Sequence, residues 1–233
     1  MPARKNEPKS EVAARAEEDA SRRTRILDVA VRLAEEGGFD NVRQRDVAEQ
    51  AGIALGTLYK SFRGKEDLLS AALERETDTL EKRLDKRAPG GANALTRVIR
   101  FFETLTRTLC KKPNYARALI KAMASGEPEV ASNIVAYQAP IYRMIVAALR
   151  GPNHPAHDAA PTEDELAIAL LLQQIWYAAL VGWSAKLHGL PRVTEQVGLA
   201  AKLLLAGLEA IRTREPAAGV GRTQAGRGTK TKD

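Results

Sequence analysis

The sequence is poor in the residues that most often carry chemistry: one cysteine, three histidines and 5% aromatics in 233 residues. A lone cysteine, Cys110, excludes an internal disulfide and a cysteine-based metal cluster, which fits a reducing compartment. His154 and His157 share a Pro-rich loop, GPNHPAHDAAP, whose HxxH spacing beside Asp158 imitates a metal site, although an exposed loop is the simpler reading. His188 falls at a helix end and reads as a cap for the last carbonyls. Cys110 has no matched histidine, and no glycine-rich phosphate fingerprint occurs. The expectation is a protein without catalysis, cofactor or metal.

Long apolar runs are also scarce. Met1 to Ala20 is polar and charged, unlike a signal peptide, so the expected location is the cytoplasm. Only Leu166 to Trp183 is apolar enough to test as a membrane span; Gln173 and Gln174 interrupt it, and a buried interface helix is expected instead. What the chain has in quantity is helix formers and positive charge. It carries 36 Lys and Arg against 29 Asp and Glu, a net +7 that favours a polyanionic partner.

The periodicity is helical throughout, with no strand pattern. Helices are predicted over 21–36, 43–50, 54–61, 65–86, 92–111, 114–124, 128–149, 163–188 and 192–213, separated by glycine and proline at Gly37-Gly38, Gly52, Gly64, Pro89-Gly90-Gly91, Pro113, Gly126, Gly151-Pro152 and Gly189. Residues 1–20 read as a disordered arm and 214–233 as a disordered basic tail. Pro140, inside the seventh helix, is expected to kink it.

Gly38 to Leu69 is the most informative stretch. Val42, Val47, Ala48, Ile53, Leu58 and Phe62 are spaced to give two short helices one shared core, and Gly52 stands where the turn between them needs a positive φ. The second helix then turns small and polar residues, Gly56, Thr57, Tyr59 and Lys60, outward. That face suits a major groove.

Gly38-Phe39, Arg45-Asp46-Val47-Ala48, Ala51-Gly52-Ile53, Gly56-Thr57-Leu58-Tyr59, Phe62 and Lys65-Glu66-Asp67-Leu68-Leu69 together resemble the DNA-binding domain of the TetR family. The resemblance implies an all-α homodimer: an N-terminal three-helix helix-turn-helix domain, here 21–66, and a C-terminal helical ligand-binding and dimerisation domain, here 67–213. It implies double-stranded operator DNA as partner. Gly56 would let the backbone approach DNA, Thr57 and Lys60 would face base edges or phosphates, Tyr59 and Lys65 would meet phosphates, and Arg43 and Arg45 would flank the groove. Two departures weaken the match: Ala54 where many relatives place Ser or Thr, and Ser61 where they place His or Tyr.

Behind the fourth helix no motif is sharp. The eighth helix is apolar on nearly every side, and its small residues Ala178, Gly182 and Ala185 permit close approach. With Val197, Ala201, Leu204 and Leu208 of the ninth they compose either an intersubunit four-helix bundle or an intrachain core. Phe102, Leu105, Thr106, Leu109, Tyr115, Leu119, Met123, Tyr137, Ile141, Met144, Gln173, Trp176, Tyr177 and Leu180 form a roomy apolar set for a hydrophobic effector. Gln173 stands out, because an amide on an apolar helix needs a partner, either a ligand oxygen or Tyr137.

The segments KKPNYARALIKAM, PTEDELAIALLLQQIWYAALVGW and VTEQVGLAAKLLLAGL are similar, in order and spacing, to the branch of the family that represses cholesterol and steroid catabolism. That branch implies a bulky lipid effector such as a steroid acid or acyl group as its CoA thioester. Lys111, Lys112, Arg117, Lys121 and Arg143 then read either as phosphate contacts at a pocket mouth or as a solvated basic face. Repressor, activator, drug sensor and effector-independent architectural DNA binder stay open at this level.

Overall fold

The computed structural model describes residues 9–86, 89–124, 128–152, 154 and 159–214. Among them stand nine α-helices and no strand: α1 Lys9–Gly37, α2 Gln44–Ala51, α3 Leu55–Ser61, α4 Lys65–Lys86, α5 Ala94–Leu109, α6 Pro113–Met123, α7 Pro128–Arg150, α8 Glu163–Ser184 and α9 Leu190–Arg214. One 3-10 turn, Phe39–Asn41, precedes α2.

The helix boundaries follow local chemistry. The Asn93 side chain accepts the Thr96 amide at 2.9 Å to open α5, and Pro113 stands at the start of α6, where its missing N–H costs nothing. Thr162 and Glu165 cap α8 reciprocally. The same Glu165 carboxylate receives two 2.7 Å bonds from Arg150, at the end of α7, and Arg150 also donates to the Ala159 and Ala160 carbonyls. Arg150 therefore clamps the α7–α8 connection, and its hydrogen bonds pull the Glu165 carboxyl down to about 2.

Two ends differ from expectation. α1 begins at Lys9, so the expected arm is helical from there on. Its Ala, Glu and Arg residues have high intrinsic helix propensity, and Arg22 pairs with Glu18 and Asp19 one turn back. α8 stops at Ser184 rather than 188, because Lys186 takes a left-handed φ of 62° and Leu187 donates back to the Gly182 carbonyl at 3.0 Å. His188 is thus not the cap; its ring lies over Gly182, where a Cβ would stand 2.5 Å from Nε2. α7 runs as one helix through the buried Pro140. Residues 1–8 and 215–233 lie outside the described residues.

α1, α2 and α3 form a small head around Leu27, Ala30, Val47, Leu58 and Phe62, all nearly inaccessible. Truncating Leu58 to Ala would cost about 2–5 kcal/mol, the usual penalty for a core cavity. From the head α4 runs back to pack on α6 and α7, while α9 packs on α8 and α5. α6 also touches α1 and the 3-10 turn, so two elements join the head to the rest.

Candidate nucleic-acid interface and effector cavity

In the head, Gly52 takes φ 68°, ψ 38° and its amide caps α2, while Ile53 donates to the Ala48 carbonyl at 3.0 Å. This turn sets α3 against α2, and Gln44 locks the far side by donating to the Phe62 carbonyl at 3.1 Å, a contact that no sequence pattern announced. α3 starts at Ala54 without a side-chain cap. Leu58 points inward; Gly56, Tyr59 and Lys60 lie exposed, and Thr57 is half-buried. Arg43, Arg45 and Lys60 are exposed and make no ion pair or side-chain hydrogen bond among the described residues, so these three cations at α2 and α3 stand free. A Cβ at Gly56 would meet nothing in the chain. No internal contact requires glycine there, and the space above it is open to an outside partner.

Lys65 is placed differently. Its ammonium sits 3.6 Å from Asp40 and 4.0 Å above the Phe39 ring, so it belongs to the junction between head and body rather than to the free cations. Lys121 of α6 binds the same Asp40 at 3.0 Å and lies over the same ring, and its hydrogen bond is the main reason the Asp40 carboxyl falls below its ordinary range. One turn away, the Glu35 carboxylate accepts the Asn114 and Tyr115 amides at 3.0 and 2.9 Å, capping the start of α6 from α1. Sequence reasoning missed Glu35 and Asp40, since each acts across about 80 residues.

The body encloses an apolar cavity. Nine of the expected effector residues line it: Leu105, Leu109, Leu119, Met123, Ile141, Gln173, Trp176, Tyr177 and Leu180, with Leu73 and Ile120 in addition. The expectation of a roomy site fails. The cavity measures about 40 Å³, space for a few waters, whereas organic ligands usually occupy about 300–1,000 Å³. Phe102 lies behind the wall, 6.1 Å from Trp176. Thr106 accepts the Trp176 indole N–H at 2.9 Å. Met144 lines a separate surface cleft, and the Tyr137 side chain lies outside the described residues. Tyr115 points away toward Glu76 without a hydrogen bond of normal geometry, and burial raises both groups above their ordinary ranges. Gln173 keeps a buried amide oxygen without a partner, a condition that costs about 1–3 kcal/mol. α4 reaches the cavity at Leu73, in the first half of its length.

Residues 26–72 match the family model described as bacterial regulatory proteins, tetR family, and residues 91–204 match that of the tetracyclin repressor-like C-terminal domain. The chain belongs to the TetR family. It is 33% identical over 184 residues to the HTH-type transcriptional repressor KstR of Rhodococcus jostii, covering 79% of this chain and 82% of that one. A TetR transcriptional regulator from Rhodococcus sp. RHA1 superposes with a TM-score of 0.72 at 25% identity, covering 82% and 99%. Thermus thermophilus FadR, solved in complex with lauroyl-CoA, shares the fold at a TM-score of 0.64 and 19% identity, covering 85% and 100%.

In this TetR-family chain the outer faces of α8 and α9 are left uncovered. Leu166, Leu170, Leu171, Ala178, Val181 and Ala185 follow one stripe of α8, and Leu199 and Leu203, 60% and 63% exposed, head one on α9. Of the expected dimer contacts, Ala178 and Ala185 lie on this surface and Leu204 and Leu208 at its margin. Val197 and Ala201 are corrections, since both are buried within the single chain, and Gly182 is covered by His188. α9 is apolar on two faces, and Val197 and Ala201 lie on the inner one.

The five basic residues resolve toward structural roles. Arg117 stacks on Trp183 at 4.7 Å, Lys121 holds Asp40, Arg143 pairs with Glu81 at 2.8 Å, and Lys111 and Lys112 are solvated; none lines the cavity. Burial pushes the Cys110 thiol up to about 12, far from nucleophilic at neutral pH. Among the described residues no three His, Cys, Asp or Glu side chains stand together for a metal; His157 and Asp158 lie outside them.

Proposed function

We propose that this TetR-family chain is a cytoplasmic, non-enzymatic transcriptional repressor that binds a palindromic operator as a homodimer and releases it when a hydrophobic effector enters the cavity. One observation carries the reading: two of the five helices that wall the cavity also seat the head. α4 contributes Leu73 to the cavity and Lys65 to the junction. α6 contributes Leu119, Ile120 and Met123 to the cavity, while its first turn is held by Glu35 and its Lys121 by Asp40.

Because the cavity is nearly closed, a ligand the size of a steroid or acyl chain must push α6 or its neighbours outward, and that displacement reaches the head directly. A coupling of about 1–3 kcal/mol then gives a 5- to 150-fold loss of operator affinity. On DNA, Thr57 and Lys60 would read base edges, Tyr59, Arg43 and Arg45 would hold phosphates, and Gly56 would permit close approach. Lys65 keeps the junction together. The uncovered stripes of α8 and α9 would pair with their copies across a two-fold axis, setting two heads on two half-sites. The lipid class rests on the resemblance to repressors of steroid catabolism and on the lauroyl-CoA held by a protein of the same fold.

To test the reading, protein purified from its host is denatured and the released small molecule identified by mass spectrometry. Labelled operator is then titrated with and without that molecule, a steroidal CoA thioester and lauroyl-CoA. At least one of them is expected to weaken operator binding fivefold or more. Unchanged affinity at saturating concentrations of all would reject the effector.

A further inference from the structure

Polar atoms at the cavity are few. The Trp176 indole N–H is committed to Thr106, which leaves the amide oxygen of Gln173, a residue 5% exposed, as the buried acceptor without a donor. Gln173 also stands at a boundary. With Met123 and Tyr177 it is shared between the closed apolar cavity and an open groove of about 310 Å³, whose other walls bring Gln138, Gln174 and Tyr142. Among the described residues no charged side chain lines that groove. A path from cavity to groove thus passes from Leu, Ile and Met, over one unsatisfied acceptor, to neutral amides and phenols.

We propose that the effector is an apolar body followed by a neutral N–H or O–H donor. The body displaces the side chains that close the cavity, the donor meets Gln173 Oε1, and the remainder of the molecule leaves along the groove. This rests on the reading of the cavity as the effector site and specifies its chemistry. Two ligand classes share the pattern: an acyl thioester with an amide-bearing pantetheine arm, and a sterol with one hydroxyl. Among the described residues an anionic head finds no cation here, so the proposal makes the neutral donor, not charge, the selected feature. Gln173 sets specificity because a site holding a buried acceptor discriminates against a ligand that leaves it unpaired.

The test uses the full chain, wild type and the Gln173→Leu and Gln173→Met variants, and two pairs of ligands that differ in the donor: lauroyl-pantetheine against S-ethyl thiolaurate, and cholesterol against its 3-deoxy analogue. Lauroyl-CoA and laurate are run beside them. Release of labelled operator and ligand-induced shift of melting temperature are both read. The donor-bearing member of one pair is expected to act on the wild type at a concentration at least about tenfold lower than its mate. Both variants should lose that preference and still bind operator as the wild type does. Preference retained in both variants, no preference in the wild type, or a response to lauroyl-CoA or laurate without one to lauroyl-pantetheine or cholesterol would overturn the inference and leave the effector cavity standing. No response to any of the six ligands would reject the effector cavity itself, and this inference with it.

Discussion

The head and the body are finished to different degrees. In α1–α3 the apolar side chains are buried against one another; what remains outside is mostly charge and hydroxyl, which water satisfies. The body keeps unmet needs: a small void, a buried Gln173 amide oxygen without a donor together with the unpaired Tyr115 hydroxyl and Arg117 Nε, and leucines of α8 and α9 in contact with solvent. Large exposed apolar patches mark interaction sites and unpaired buried acceptors cost stability, so both point to partners. In the proposed reading a polyanion answers the head, and a second copy and a small molecule answer the body.

Several substitutions would break or sharpen this contrast. The largest effect is expected from removing the second copy. Leu199→Glu with Leu203→Glu places charge on the uncovered stripe, and sedimentation should show a monomer whose operator affinity drops about a thousandfold, toward nonspecific binding. The fold should survive, because both positions face solvent in the single chain. A dimer of undiminished affinity would place the interface elsewhere.

Smaller and confined to the head are the losses from Gly56→Ala, Tyr59→Phe and Lys60→Ala, each about 1–3 kcal/mol in operator binding with an unchanged melting temperature. Gly56→Ala is the cleanest, since its new methyl meets nothing within the chain. Loss of stability instead of affinity would make the glycine structural. Lys60→Ala should alter base preference, whereas Tyr59→Phe should weaken all sequences alike.

Lys121→Met tests the connection between the two regions. Its pair with Asp40 is solvent-exposed and contributes little, so stability and effector-free operator binding should hardly move. The effector response should shrink several-fold. A full response would remove the Lys121–Asp40 pair from the coupling and leave α4 and the Glu35 cap of α6 to carry it.

The smallest effect on function belongs to the Arg150–Glu165 clamp, remote from the head. Glu165 has a depressed folded-state pKa, so its contribution is complete above the ordinary carboxylate range and disappears as pH falls toward about 2. Glu165→Gln should lower the melting temperature at pH 7, and the difference from wild type should narrow as pH drops below about 4. Operator affinity should be unaffected. A constant difference across that range would mean that the carboxylate charge plays no part.

What could be read from the sequence follows the same division. The head was legible because its function is local: Gly52 at a turn, Leu58 and Phe62 one helical turn apart, and Gly56 to Lys60 on the opposite side are fixed within about 20 residues of one another. All nine helices were legible from glycine, proline and apolar spacing. Gln173 was legible as a misfit on an apolar helix. The junction was not, because nothing near Glu35 or Asp40 in the chain announces α6, and Lys65 was therefore assigned to DNA alone. The faces of α9 were confused because both are apolar; only packing on α5 distinguishes Val197 from Leu199. Cavity volume depends on rotamers contributed by five helices, which periodicity does not contain.

The central claim, that one structural change links the cavity to the head, is tested most directly by reciprocity. Effector affinity is measured by calorimetry on the free protein and on the operator-bound protein, and operator affinity with and without saturating effector. Linkage requires the two ratios to be equal, and the account predicts a common factor between about 5 and 150, with effector binding the DNA-bound form more weakly. Equal effector affinity for free and DNA-bound protein would contradict it.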